Sequence, residues 1–106
     1  MLAKRYRLPV QNMRKKTGKS LKSRYFLLKI FTPEELYSRV GVVISRKVSP
    51  KATIRNRIKR TVFDFFQNNM NQLPINDYLI ILSPTAAQIN KQVLLSEFSQ
   101  ILNPKS

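Results

Sequence analysis

The sequence predicts one α+β domain over residues 1–106, a small mixed or antiparallel sheet with helices on one face. Three observations predict it. Two short stretches, 23–31 and 39–46, carry apolar side chains with the period of a strand. Residues 50–69 repeat apolar side chains at helical spacing behind a Ser-Pro start. A third apolar run, 78–83, precedes another stretch of helical spacing, which gives the order helix, strand, strand, helix, strand, helix.

Each element has its own signal. Residues 1–22 are basic and polar, punctuated by Pro9 and Gly18; Val10 and Met13 stand one turn apart, predicting a short helix near 9–16. Lys15-Lys16-Thr17-Gly18-Lys19-Ser20 contains Gly-Lys-Ser, but a phosphate loop needs glycine where Met13 stands, so no nucleotide loop is read here. In 23–31, Phe26, Leu28 and Ile30 form one apolar face, and Tyr25, Leu27, Lys29 and Phe31 form the other. Thr32-Pro33-Glu34-Glu35 reads as a turn. Val40, Val42 and Ile44 face one way in the second strand, and the short link between the two predicts an antiparallel pair.

Ser49-Pro50 supplies a hydroxyl acceptor and a proline at the first helical position. The helix it starts runs to about Asn69 and buries Ile54, Ile58, Val62 and Phe65. Pro74, Asn76 and Asp77 break the chain before the third strand, and Ser83-Pro84-Thr85 ends it. A last helix over 88–101 buries Ile89, Val93, Leu94 and Phe98. A fourth strand within 17–38 is left open.

Composition excludes whole classes of chemistry. The chain has no Cys, no His and no Trp. That removes a disulfide scaffold, thiol nucleophiles, thiolate or imidazole metal sites and a Ser-His-Asp triad. The longest apolar run, Tyr78–Leu82, is far short of the roughly 20 residues of a membrane helix. The basic opening leads to Leu8-Pro9 rather than an apolar signal segment, which predicts a cytoplasmic protein with no membrane partner.

The charge, +15 overall, is segregated. Residues 1–60 hold eighteen Lys and Arg against Glu34 and Glu35, a net of +16; residues 61–106 hold two against three acids, a net of −1. A field of one sign on one part of a small domain points to a polyphosphate partner.

Ile54-Arg55-Asn56-Arg57-Ile58-Lys59-Arg60 is the most informative segment. With Ile54 and Ile58 toward the core, Asn56 and Arg60 lie on the solvent side, Arg57 and Lys59 flank them, and Arg55 borders the core stripe. Solvated helix faces alternate signs to gain i,i+4 pairs, yet no acid stands between Glu35 and Asp64. Arg offers planar bidentate donors to phosphate, and Asn can bond a base edge or a 2′-hydroxyl. Lys51 in the first turn of that helix and Arg46 and Lys47 at the strand end join this set. Phe63 falls opposite the core stripe and is read as packing under a loop or partner helix.

Three ordered segments, Arg39–Val48, Lys51–Arg60 with its Arg-Asn-Arg, and Asp77–Ile81, resemble the bacterial ribonuclease P protein component, and with Arg24-Tyr25-Phe26 the likeness covers about residues 7–102. The resemblance implies a fold similar to a ribosomal small-subunit domain with a left-handed βαβ crossover, an exception to the usual rule. It implies one protein bound to one catalytic RNA that removes the 5′ leader of precursor tRNA using Mg2+, with no catalytic residue in the polypeptide. It implies that the Arg-Asn-Arg helix faces that RNA and that a cleft on the sheet holds the leader. Tyr25, Leu27 and Lys29 are the candidates for that cleft. The family's usual N-terminal Phe residues are missing, which leaves Val10 and Met13 to line it, and Phe63 stands where a further cation is common.

The chain's own residues fit such a division of labour, because five scattered carboxylates without His do not readily assemble a two-metal nuclease site. Two other readings explain the charge: a non-enzymatic basic RNA-binding module, such as a ribosomal protein or RNA chaperone, and an anionic-membrane binder. The latter needs a free amphipathic helix, whereas this one spends its apolar stripe on a core.

Overall fold

The computed structural model describes residues 4–8 and 18–102. Its elements are β1 (Lys19–Lys22), β2 (Phe26–Phe31), β3 (Arg39–Val43), α1 (Ala52–Asn69), β4 (Asp77–Leu82) and α2 (Lys91–Leu102). Short 3-10 turns occupy Lys4–Tyr6, Met70–Gln72 and Pro84–Gln88. The helix expected near 9–16, with Val10 and Met13, lies outside the described residues.

The four strands stand in the order β1-β2-β4-β3, so the sheet is mixed. β2 runs antiparallel to both β1 and β4, and β3 runs parallel to β4 through the α1 crossover. The open question of a fourth strand is settled by β1, which pairs Leu21 with Leu28 and Lys22 with Leu27. The expected pairing of the 23–31 and 39–46 strands is corrected: β4 lies between them. Its run Tyr78-Leu79-Ile80 is buried on both faces, so β4 takes a central place that a half-polar strand cannot. Residues 32–38 only have to cross two strand spacings, roughly 10 Å, well within their reach.

Both helices cover one face. Phe26, Leu28, Val40, Val42, Tyr78 and Ile80 meet Ile58, Val62, Phe65 and Phe66 of α1 and Leu94 and Phe98 of α2. Phe98 is the keystone: its ring stacks on Phe26 at 4.3 Å and on Phe65 at 5.2 Å, and meets Phe66 edge-on at 5.8 Å. Each such ring pair adds about 0.5–1.5 kcal/mol beyond its burial. In α2 the buried stripe runs through Leu94 and Phe98, whereas Val93 is exposed, contrary to expectation. The reason is the cap. Asn90 Oδ1 accepts the Val93 N–H at 2.9 Å, which starts the helix later and leaves Val93 in the first turn on the solvent side.

Ser49 also does a different job from the one expected. α1 begins at Ala52, and the Ser49 hydroxyl accepts the Lys51 N–H at 3.2 Å in a turn ahead of the helix. Phe63 is buried, as expected of a ring under a loop, and the Arg7 guanidinium and Lys59 ammonium lie over it at 5.7 and 5.9 Å. Segment 4–8 is held to the sheet by the Leu8 N–H, which donates to Val40 O at 2.8 Å.

Candidate nucleic-acid interface

The first half of α1 is amphipathic in the simplest way. Ile58 is buried and Ile54 half-buried, while Asn56, Arg57, Lys59 and Arg60 are exposed along the rest of the surface. Past Arg60 the helix buries Thr61, Val62, Phe63, Phe65 and Phe66 before Gln67 and Asn68 return to solvent. The cation-bearing half is thus anchored to the core by Ile54 and Ile58 and, beyond them, by the buried second half of the helix.

Arg46 and Lys47 reach the same end of the molecule by a turn. The Val48 N–H donates to Ser45 O at 3.0 Å, and the Lys47 N–H donates to Ser45 Oγ at 3.2 Å. Val48 is buried as the anchor, so the tip presents both cations to solvent. Lys51 is exposed directly ahead of α1. Arg55 is half-buried, and its guanidinium donates to Ser49 O at 2.9 Å. One of its N–H groups thus positions the loop that carries Arg46, Lys47 and Lys51.

Three acids are engaged away from this surface, while Asp64 stands one turn past Arg60 on α1. Asp77, fully buried, receives both a 3.2 Å bond from Arg39 Nε and a 3.0 Å bond from an Arg39 terminal nitrogen. The paired carboxylate holds the Arg39 guanidinium above its ordinary value. Glu34 lies 3.8 Å from the same Arg39, and Glu97 accepts the Ser23 hydroxyl at 3.3 Å. Among the described residues no three His, Cys, Asp or Glu side chains gather where they could hold a metal ion. Nor is any described helix long and apolar enough to cross a membrane.

The sheet face away from the helices is the second candidate surface. The register brings Leu27 opposite Ile81 and Lys29 opposite Leu79, with Val43 next to Ile81. Leu27, Lys29, Val43 and Ile81 are half-buried there, whereas Phe31 and Leu79 are closed off with Leu8. Tyr25 does not join them. It precedes β2, escapes the strand's alternation, and packs against the helix-side core. Val10 and Met13 lie outside the described residues. Lys22 and Ser20 of β1 share this face through their pairing with Leu27 and Lys29. Sequence reasoning misses them, because Leu21 is the one apolar residue in 19–22 and a single apolar side chain shows no period.

Sequence reasoning misses Lys91 as well. It lies with Arg57 on a cleft of about 350 Å3 between α1, the Pro84–Gln88 turn and the start of α2. Nothing in its local sequence marks it, since 30 residues separate it from the last cation of α1.

Comparison with known proteins agrees with this architecture. A family model described as Ribonuclease P matches residues 11–105. The ribonuclease P protein component of Psychrobacter sp. is 30% identical over 79 residues, 74% of this chain and 61% of that protein. That of Thermotoga maritima is 40% identical over 68 residues, 63% of this chain and 56% of its own length. The matched region thus spans less than two thirds of either relative. The Thermotoga maritima RNase P protein, solved in complex with 1-(4-fluorophenyl)-2-thiourea, superposes with a TM-score of 0.82 at 28% identity, covering 94% of this chain and 100% of that one. With nearly the whole chain matched by the family model and the same fold in a solved relative, this chain belongs to the bacterial ribonuclease P protein family.

Proposed function

We propose that the chain acts as the protein subunit of ribonuclease P, binding the catalytic RNA and the 5′ leader of precursor tRNA while the RNA performs the cleavage. The observation that carries the reading is the exposed row Asn56, Arg57, Lys59 and Arg60, continued by Lys51, Arg46 and Lys47 at the same end of the fold. These side chains project from a helix and a pinned turn, so little order has to be acquired on binding. Their work is charge neutralisation and positioning: guanidinium groups grip phosphates, and Asn56 can bond a base edge or a 2′-hydroxyl. Mg2+ in this reading serves the RNA, and no step passes through a protein-held ion. Leu27 and Lys29, with Val43 and Ile81 beside them, offer a half-apolar floor with a cation to the single-stranded leader.

The test is competition binding at fixed salt. The protein should prefer a bacterial ribonuclease P RNA over an unrelated structured RNA of equal length. Equal affinity for both would favour a generic basic RNA-binding module.

A further inference from the structure

The cleft beside the Arg-Asn-Arg helix has a chemistry that a phosphate-gripping surface alone does not need. Ile54 and Ile58 of α1 form one wall, and Ala87 and Ile89 form the other. Arg57 and Lys91 stand among the lining residues, and no carboxylate joins them among the described residues. Arg57 also borders a second depression of about 320 Å3, shared with Thr53, Ile54 and Arg60. Lys91 also borders a neighbouring depression with Asp64, but the cleft's own lining is an aliphatic slot with a cation on each side, which complements a flat apolar group carried on an anionic chain.

Two polar groups inside the cleft are oriented by bonds of their own. Asn90 spends its Oδ1 on the Val93 N–H, which fixes the amide and directs the choice of ligand group toward acceptors for its Nδ2. Thr61 donates its hydroxyl hydrogen to Arg57 O at 3.0 Å, so its oxygen is left to act as an acceptor in the cleft it lines. A cleft with a fixed donor and a fixed acceptor beside an apolar slot suits a nucleobase, which carries both at its edge.

We propose that this cleft takes one unstacked nucleotide of the bound RNA. The base lies between the Ile54–Ile58 wall and Ala87–Ile89, with the Arg57 guanidinium at its phosphate-side edge. Its phosphate sits between Arg57 and Lys91, and Arg60 meets the next phosphate along the strand. The proposal rests on the RNA-subunit reading and adds to it a specific base site, with Lys91, Asn90 and Ala87 as its residues.

The experiment is an NMR titration of the full isotope-labelled chain with adenosine 5′-monophosphate and, separately, ribose 5-phosphate, which has the same charge and no base. The nucleotide should shift the Ala87, Ile89 and Asn90 amide signals and bind about fivefold or more tightly than the sugar phosphate, the effect of one buried base. Ala87→Phe, which fills the slot without changing charge, should erase that difference. Equal binding of the two ligands in the unaltered chain overturns the proposal without any variant. Nucleotide-specific shifts that survive Ala87→Phe, or tighter binding of decanoate than of the nucleotide, overturn it too. Cleavage assays with a ribonuclease P RNA separate the two levels. If the unaltered chain supports cleavage while the titration fails, the base site falls and the subunit reading stands; if it supports none, the subunit reading itself falls.

Discussion

Arg39 and Asp77 face each other across the first register pair of β3 and β4, joined by two hydrogen bonds of 3.2 and 3.0 Å with the carboxylate fully buried. The pair locks the start of the parallel strands, where no turn links them. Removing Arg39 leaves the fully buried Asp77 carboxylate unanswered, whereas removing Asp77 leaves Arg39 beside Glu34. Arg39→Met should therefore lower stability by about 3–5 kcal/mol, whereas the double change Arg39→Met, Asp77→Val should recover much of that loss. Urea unfolding of the two variants beside the unaltered chain checks it.

Tyr78 supplies the pH dependence. Burial pushes its phenol above the ordinary value of 10.0, and its hydroxyl donates to Pro74 O at 2.6 Å. A raised pKa in the fold means the unfolded chain loses this proton first. The contribution is complete below about pH 10 and is lost as pH rises through the folded value. Stability should hold from pH 7 to 9 and fall above 10. Tyr78→Phe should cost about 1 kcal/mol at neutral pH and make the alkaline decline shallower, read by chemical denaturation across pH.

Gly18 has no room for a side chain. A Cβ there would stand 2.5 Å from Ile30 O and 2.8 Å from the Phe31 ring. Gly18→Ala should destabilise the protein by about 1–3 kcal/mol and loosen β1, seen as faster amide exchange at Lys19–Lys22. A thermal melt equal to that of the unaltered chain would contradict the close approach.

The +15 charge should make folding respond to anions, since ions that bind the compact state offset its self-repulsion. Circular dichroism in a sulfate titration should show helix content or melting temperature rising. A flat response contradicts this.

Much of the fold is legible in the sequence, and the exceptions have physical causes. The α1 stripe Ile58, Val62 and Phe65 and the exposed Asn56, Arg57, Lys59 and Arg60 follow from helical period alone. The order of strands does not, because a short link is as compatible with skipping one strand as with a hairpin, and only the two-sided burial of Tyr78-Leu79-Ile80 decides. Tyr25 departs from its expected face because β2 begins at Phe26, so strand alternation does not extend back to it. Arg55 reads as one more ligand-facing cation until its bond to Ser49 O shows it bracing the loop. Lys91 and Arg57 share a cleft through tertiary packing that no local pattern announces.

In the proposed interface, Arg57 and Arg60 are exposed guanidinium groups on the outer face of α1. Replacing both with Ala should weaken RNA binding and reduce the slope of log affinity against log salt by about one unit for each phosphate no longer neutralised. An unchanged slope contradicts the assignment of α1.

Reconstitution decides the subunit role. The chain is mixed with a bacterial ribonuclease P RNA and precursor tRNA at low Mg2+, with leaders of one to several nucleotides and a protein-alone control. Cleavage should be restored, more strongly for longer leaders, and protein alone should cut nothing. RNA binding without any restoration of cleavage would contradict that role.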